Sequence, residues 1–305
     1  MTHVAAAALN FRIGARTVLR VKRTLVPVAI SLDDARERRL PPLPPLPDAA
    51  QGYVVTSLPE DRLEAMTLAS GGMIGFVRQR YMRYFADLTG SHEGYLASLS
   101  SNARQGVKRK AKKVAQASGG QLDVRRFRTP AELQLFHGIA RGIAVNTYQE
   151  RLMGEGLPDT PEFVRTMLER AAADEVRAWL LYIGGKPAAY LYCPAAGETL
   201  IYEYVGHDTA FNDLSPGAVL QMEAFRDLFD EGRFARFDFT EGEGQHKRQF
   251  STDAVACLDL LLLRPSIANR AATTALGSFN RAVASGKALT EAVGLEKFSK
   301  RLRRG

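Results

Sequence analysis

The chain has 305 residues, of which 46% are hydrophobic and 24% charged, with a formal net charge of +8 and a pI near 9.6. This composition excludes a wholly disordered chain, a collagen-like fibre and a multi-span membrane protein, and the length allows one large domain or two. Cys193 and Cys257 are the only cysteines, so neither a disulfide framework nor a zinc cluster is expected. We therefore expect a reduced, cytoplasmic protein. No apolar run reaches the ~18 residues of a transmembrane helix, and residues 1–9 make a poor signal peptide because no basic region precedes their apolar stretch.

The charge is distributed unevenly along the chain. Residues 101–128 carry a formal charge of +8 and residues 266–305 carry +6, whereas residues 129–263 carry −10. A basic arm and a basic tail around an acidic body indicate a polyanionic partner, and a nucleotide cofactor, RNA and anionic lipid headgroups are the candidates. The alternative is that both segments are solvated helix faces that keep the protein soluble.

The N-terminal third of the chain is predicted to combine strands with one long basic helix. Residues 91–117 are expected to form that helix, with Ser91 as its N-cap and two glycines at its end. Pro27 limits its strand to the edge of a sheet, and the proline-rich residues 41–47 are interpreted as a surface linker rather than a recognition peptide. Strands are expected at residues 11–30, 54–58 and 73–77.

The rest of the chain predicts an alternation of helices and strands. Two helices precede a three-stranded antiparallel meander, in which Gly184-Gly185 forms a two-residue hairpin turn. A further helix begins after Ser215, a preferred N-cap residue, with Pro216 in its first position. With that helix as the connection, the strand after it can pair in parallel with the third strand of the meander. If these two strands splay apart, a cleft opens between them, and the N-terminus of the helix lies at that cleft. The elements are expected at residues 122–127 (strand), 130–143 and 161–173 (helices), 176–183, 187–193 and 199–205 (meander), 216–230 (helix), 234–239 and 254–263 (strands), and 266–305 (helical tail).

Four groups of residues, in this order and spacing, resemble a known family. They are Tyr95-Leu96 with Leu99-Ser100 and Arg104; Thr147-Tyr148-Gln149; Leu214-Ser215-Pro216-Gly217; and Phe237-Asp238-Phe239 with Gly242 and Lys247. Together with the element order they resemble the GNAT acyltransferase fold, an α+β fold with a mixed sheet. The similarity is to the branch that holds the Fem-type peptidoglycan-branching enzymes and the CelD-like proteins, often labelled BioF-like acetyltransferases. Residues 91–264 would form that domain, residues 1–90 are a divergent region and a candidate for the degenerate first half of a tandem, and residues 265–305 are a basic helical tail.

The resemblance implies transfer of an acyl group from acyl-CoA or acetyl-CoA to an amine of a cell-envelope sugar, lipid or amino-acid derivative. Such a transfer needs a pyrophosphate site, a hydrogen bond to the thioester carbonyl, a base for the ammonium proton and a donor to the leaving thiolate. It requires no metal, and the five histidines show no metal-ligand spacing. Cys193 and Cys257 lie in apolar runs, so we expect direct transfer without a covalent enzyme intermediate.

The start of the helix after Ser215 is the candidate phosphate site. Gly217 would let a phosphate approach the backbone closely, and Lys247 could neutralise a phosphate or carboxylate. The alternative is a well-capped helix that binds no ligand. The candidate cofactor-binding residues are Ser215, Pro216, Gly217, Ala218 and Lys247.

Three residues are candidates for the chemistry. Glu203 lies on an apolar strand, where burial would raise its pKa and suit it to act as a base; alternatively it faces solvent. Asp238 ends a strand that should border the cleft, and it serves either catalysis or the support of the following loop. His246 could shuttle a proton near neutral pH and stands where the family commonly has tyrosine; the alternative is an exposed side chain.

Four further residues are candidates for contacts with the acceptor. By resemblance, the polar and aromatic segment after the helix at residues 130–143 faces the acceptor, although it could be an ordinary loop that ends the helix. The candidate substrate-binding residues are Asn146, Tyr148, Gln149 and Tyr204.

Three functions compete at this point. The first is the acyl-CoA-dependent transferase, which its basic tail would hold at the inner face of the cell membrane, unless that tail docks on the protein itself. The second is a Fem-type transferase that uses aminoacyl-tRNA and contacts tRNA phosphates through the basic helix, although the long helical arm usual in those enzymes is absent. The third is a catalytically inactive GNAT-like module that binds a nucleotide, lipid or protein.

Overall fold

The computed structural model describes residues 5–13, 16–145, 156–242 and 244–292. Their elements, in chain order, are β1 (Ala5–Ile13), β2 (Arg16–Ala29), α1 (Leu32–Arg36), β3 (Gly52–Pro59), α2 (Leu63–Ala69), β4 (Ile74–Asp87), α3 (His92–Ser98), α4 (Ser101–Ala117), β5 (Asp123–Phe127), α5 (Pro130–Ala144), α6 (Pro161–Ala172), β6 (Val176–Ile183), β7 (Lys186–Ala196), β8 (Thr199–Ile201), β9 (Tyr204–His207), α7 (Pro216–Glu231), β10 (Arg236–Asp238), α8 (Gln245–Phe250), β11 (Asp253–Leu263) and α9 (Ile267–Ala292). None of the described helices has both the length and the apolar character needed to cross a bilayer.

The chain divides into two compact units. The terminal unit contains Met1–Tyr81 and Ala256–Gly305, and the central unit contains Met82–Val255. Both divisions fall within strands, β4 and β11. The domain boundaries expected after residues 90 and 264 stay predictions.

The terminal unit joins strands from both ends of the chain. β1 and β2 form an antiparallel hairpin, β2 pairs in parallel with β3, and β3 pairs antiparallel with β11. Within the described residues Pro27 has a strand partner only on the β3 side, as its missing N–H requires. Helix α9 buries Leu276 in a cluster with Leu25, Leu261 and Leu263. The first part of the basic tail is therefore a docked helix.

A buried carboxylate fixes a bulge in the terminal unit. Residues 254–263 of β11 are apolar except for Asp259, and the register of β11 with β3 shifts at this residue. The Asp259 carboxylate accepts hydrogen bonds from the Ser57 N–H and the Tyr81 hydroxyl, both at 3.1 Å, and from the Gln79 amide at 2.8 Å. These bonds hold Ser57 at a φ of 60°, in the left-handed region that disfavours a residue with a Cβ.

The central unit is a mixed sheet, as the sequence predicts. Its strand order is β4-β10-β8-β7-β6-β5, and β9 also pairs with β7. β10 runs parallel to β8 and antiparallel to β4, and the remaining described pairs are antiparallel. The predicted turn between β6 and β7 is confirmed, with Gly184 and Gly185 at φ values of 56° and 76°, the geometry of a type I′ hairpin.

Helices cover both faces of this sheet, which explains why β6 is buried along its whole length. Trp179 and Leu181 pack with residues of α4 and α7, whereas Ala178 and Leu180 pack with residues of α5 and α6. Successive side chains of a strand point to opposite faces, so one strand contributes to two cores.

Three details of the predicted elements are wrong. The basic helix is interrupted because Leu99 is extended (ψ 152°) and the Ser100 hydroxyl caps the new helix α4 by accepting from the Ala103 N–H. The third strand of the meander is also interrupted, between β8 and β9. Ser215 is not a side-chain cap, since it adopts a left-handed conformation (φ 52°, ψ 53°) without a cap hydrogen bond.

Candidate functional site

The candidate site lies in the central unit where β9 and β10 separate. β8 pairs with β10 as far as Ile201 and Asp238, and the Tyr202 N–H then donates to the Asp238 carbonyl at 2.9 Å. From Tyr204 onward, β9 pairs with β7 and has no other strand partner among the described residues. The strand interruption at Tyr202 and Glu203 is thus the point at which a cleft can open between the two parallel segments.

Glu203 lies in this interruption rather than in the middle of a strand. Its side chain reaches solvent, but the surrounding protein still raises its pKa through desolvation, with the Arg170 charge acting in the opposite direction. Burial and the negative charge of Glu203 both raise the pKa of the neighbouring Tyr192 and Tyr204 hydroxyls. A solvent-accessible carboxylate with increased basicity can accept a proton from an amine.

Asp238 is held in place by a buried arginine. The carboxylate is 1% exposed, and both of its oxygens lie 3.2 Å from Arg83 Nε, with Arg83 Nη2 at 2.5 Å from Oδ2. Oδ1 also accepts the Thr240 N–H at 2.8 Å, which fixes Thr240 at a φ of 60°. Asp238 therefore shapes the loop that follows β10. Sequence reasoning missed Arg83 because it lies 155 residues away and has no local motif.

His246 and Lys247 follow the loop after β10 and lie in α8. The Lys247 ammonium donates to the Glu241 carbonyl, and desolvation lowers the Lys247 pKa while the charges of Asp238 and Glu241 oppose that change. The His246 ring lies 5.9 Å from the Tyr202 ring, between centroids. Desolvation and the Lys247 charge lower the His246 pKa, which favours a neutral imidazole at pH 7.

The start of α7 is open to an approaching group. The Ser215 N–H donates to Asn212 O at 3.1 Å and the Ala218 N–H to Ser215 O at 3.2 Å, and Pro216 has no N–H. The Gly217 N–H has no recorded acceptor in the part of the chain that the structure describes. A methyl group added to Gly217 would meet no atom of the described residues within 4 Å. Free N–H groups at a helix N-terminus attract anions.

The predicted acceptor contacts are only partly described. Asn146, Tyr148 and Gln149 lie outside the described residues. The Tyr204 ring meets the Phe163 ring edge-on at 5.5 Å and lies 6.1 Å from the Tyr192 ring, which places an aromatic wall next to Glu203. Among the described residues, no group of three or more His, Cys, Asp or Glu side chains could hold a metal ion.

Comparison with known families identifies the class of this domain. Residues 101–248 match the family described as acetyltransferase (GNAT) domain, a little under half of the chain and entirely within the central unit. The chain therefore carries a GNAT-type acetyltransferase domain, which makes it an acyltransferase. No curated protein sequence matches the chain.

Two solved structures show a similar fold. The C-terminal domain of a protein assigned as a lysylphosphatidylglycerol synthetase, from Agrobacterium fabrum, has a TM-score of 0.53 at 11% identity, over 75% of this chain and 71% of that one. FemX has a TM-score of 0.51 at 11% identity, over 86% of this chain and 89% of its own. Identities this low establish the shared fold alone.

Proposed function

We propose that the protein transfers an acyl group from acyl-CoA or acetyl-CoA to an amine of a cell-envelope sugar, lipid or amino-acid derivative, as a member of the CelD-like and BioF-like branch. The observation that carries this proposal is the open start of α7. Among the described residues the Gly217 N–H lacks an acceptor, and a Cβ at Gly217 would meet no atom within 4 Å. A diphosphate bound there by the Gly217 N–H and the Ser215 hydroxyl, next to Ala218, would direct the acyl carrier toward the separation of β9 and β10.

In the proposed mechanism the amine attacks the thioester directly. The nitrogen forms a bond to the carbonyl carbon, the carbon–sulfur bond breaks, and the electron pair leaves on the thiolate. Glu203 accepts the proton that the ammonium loses, because its raised pKa makes it a stronger base than an ordinary carboxylate. After the attack the nitrogen loses a second proton, which the neutral His246 imidazole accepts and passes to the thiolate.

Asp238 and Lys247 have supporting roles in this scheme. Asp238 is a positioning residue, because both of its oxygens are engaged by Arg83 and the loop that it shapes leads into α8, which carries His246. Lys247 stabilises the same loop through the Glu241 carbonyl and supplies the positive charge that balances an approaching phosphate or carboxylate.

The acceptor is proposed to be a small-molecule or lipid amine. Tyr204 forms part of its wall, and the segment that holds Asn146, Tyr148 and Gln149 completes it. One structural neighbour is assigned as a lysylphosphatidylglycerol synthetase, which supports a lipid among the candidates. We propose a cytoplasmic enzyme that contacts the inner face of the cell membrane through its basic tail, since the docked helix α9 still exposes Arg270 and Arg281.

Titration of the protein with CoA, acetyl-CoA and a long-chain acyl-CoA, followed by thermal unfolding, tests the proposal. We expect an acyl-CoA to raise the melting temperature by mass action, by an amount equivalent to about 2.7 kcal/mol at a concentration of 100 Kd. The preferred chain length identifies the acyl group. Stabilisation without turnover of any amine would instead indicate an inactive binding module, and no stabilisation would contradict a CoA-type donor.

A second candidate, an aminoacyl-tRNA-dependent transferase, is supported by the exposed face of α4. Lys108, Arg109, Lys112 and Lys113 are exposed, α4 contains no acidic residue, and these cations form no ion pair within the described residues. Filter binding of total tRNA, compared between wild type and the double variant Lys108→Glu/Lys112→Glu, tests this candidate. Salt-sensitive tRNA binding that the double variant loses, together with no response to CoA, would favour it over the first.

A further inference from the structure

A buried amide on α7 lacks a hydrogen-bond partner. Gln221 is 3% exposed, and its Nε2 is buried without an acceptor in the part of the chain that the structure describes. The adjoining buried positions of α7 are apolar, as Leu220, Met222 and Phe225 illustrate. A buried donor without a partner destabilises the fold, and leucine or methionine would fill this position without that penalty. The amide is therefore better explained by a ligand than by packing.

The position of Gln221 relates it to the open start of α7. It follows Gly217 by four residues, so the two lie on the same face of the helix, one turn apart. Helical side chains lean toward the N-terminus and cover the turn before their own Cα. The Gln221 side chain is therefore expected to extend toward the turn that holds Gly217, while all of its atoms stay more than 4 Å from the position of a Gly217 Cβ.

We propose that Gln221 binds the arm of the acyl carrier, with its side-chain N–H donating to an amide carbonyl of that arm. This inference rests on the proposed function and identifies a contact within the same site. A buried, uncharged amide in apolar surroundings recognises a neutral acceptor, because an anion at this depth would lose its hydration without a matching charge. The diphosphate remains at the start of the helix, about 5.4 Å or one turn away.

This arrangement also selects the carrier by its chemistry. A phosphopantetheine arm presents amide carbonyls a short distance beyond a diphosphate, in an extended and otherwise apolar chain. The 3′ end of an aminoacyl-tRNA instead presents a ribose with hydroxyl groups, so a single buried amide donor matches it less well. Gln221 thus favours CoA, or another carrier with the same arm, as the donor.

Calorimetric titration of wild type and Gln221→Met with two ligands tests the inference. CoA contains the arm, whereas adenosine 3′,5′-bisphosphate has nucleotide phosphates without it. We expect Gln221→Met to bind CoA about 5- to 10-fold more weakly, as for the loss of one hydrogen bond, and to bind the bisphosphate as wild type does. The ligand-free melting temperature should be unchanged or higher. Gln105→Met, at an exposed position of α4, is the matched control and should change neither affinity.

The other outcomes each overturn a defined statement. Equal CoA affinity of wild type and Gln221→Met overturns the role of Gln221 and leaves the proposed function standing. Equal weakening for both ligands overturns the assignment to the arm. If wild type binds no CoA, the proposed function fails and this inference fails with it. If both Gln221→Met and Gln221→Leu unfold in the absence of ligand, Gln221 serves the fold and the inference is overturned.

Discussion

Two carboxylates near the end of neighbouring strands have opposite environments. Asp238 is buried and engaged by Arg83 and the Thr240 N–H, whereas Glu203 reaches solvent and has a raised pKa. A carboxylate whose oxygens are already occupied cannot easily take a proton, but one with raised basicity and free access can. Asp238 is therefore suited to position its loop, whereas Glu203 is suited to accept a proton.

Glu203→Gln is expected to lower kcat about 10²- to 10⁴-fold, the usual contribution of a general base. Because the folded-state pKa of Glu203 is raised, ionisation of this group costs stability as the pH rises through that pKa. The melting temperature of Glu203→Gln at pH 7 should therefore equal or exceed that of wild type. In wild type, kcat/KM should fall with decreasing pH at a pKa above the ordinary value of 4.5.

Steady-state kinetics across pH and a thermal melt check this prediction, with Glu198→Gln, at an exposed position before β8, as the control. Loss of activity accompanied by a lower melting temperature would assign Glu203 a structural role. A wild-type acidic limb that persists unchanged in Glu203→Gln would assign the titration to another group.

Removal of one partner of the Arg83–Asp238 pair is expected to destabilise the central unit. Arg83→Met or Asp238→Leu leaves a buried charge without its counterion, at a cost of about 3–5 kcal/mol. The double variant removes both charges and should be more stable than the sum of the single effects predicts. Urea unfolding of all four proteins measures the coupling, and additive single effects would show that the ion pair does not act as a unit.

At the scale of the element, α7 has a packed end and an open end. Its middle and C-terminal part pack Leu220, Phe225 and Leu228 into the core, and Gly232 ends it in the left-handed conformation. Its first turn, in contrast, contains a glycine with open space above it. A glycine within a helix lowers stability relative to alanine, and at this position it also leaves the first turn of the helix accessible to an approaching group.

Gly217→Ala is therefore expected to stabilise the free protein by about 0.4–1 kcal/mol. It is also expected to weaken CoA binding about tenfold, because the added methyl group would keep the phosphate away from the Gly217 N–H. That loss corresponds to one charge-assisted hydrogen bond of roughly 1.5 kcal/mol. Gly138→Ala, in the exposed middle of α5 where a Cβ also meets no atom, is the matched control. It should raise the melting temperature and leave CoA affinity unchanged. Unchanged affinity in Gly217→Ala would place the phosphates elsewhere.

Most elements could be predicted from the sequence because their signals are local. Thr129 with Glu132 forms the capping box of α5, and the glycine pair fixes the β6–β7 turn. The missed features depend on tertiary contacts. The interruption at Glu203 lies between β8, which pairs with β10 and β7, and β9, which among the described residues pairs with β7 alone. Arg83 meets Asp238 across 155 residues. Neither feature produces a pattern among residues that are close in sequence. The candidate site residues could therefore be predicted from the sequence, but their arrangement in space could not.

At the scale of the whole molecule, Met1–Tyr81 and Ala256–Gly305 form one unit, and the residues between these two segments form the other. We expect Leu276→Ala to destabilise the terminal unit by about 2–5 kcal/mol, because Leu276 is 4% exposed in the cluster with Leu25 and Leu263. Ile267→Ala, at a residue of the same helix that is 89% exposed, should change the free energy of unfolding by less than about 0.5 kcal/mol. Chemical denaturation compares the two variants, and equal effects would contradict the docked position of α9.

Because the terminal unit is built from two separate segments of the chain, it cannot be completed until late in synthesis. β1, β2 and β3 leave the ribosome first, but their partner strand β11 and helix α9 are synthesised only after the 174 residues of the central unit. At about 5–20 residues per second, this delay lasts roughly 10–35 s. During that interval β3 presents an unpaired edge on the nascent chain, which is a site for misassociation with other strands. The central unit, whose strands and helices are contiguous, can fold as it emerges, and the terminal unit closes last.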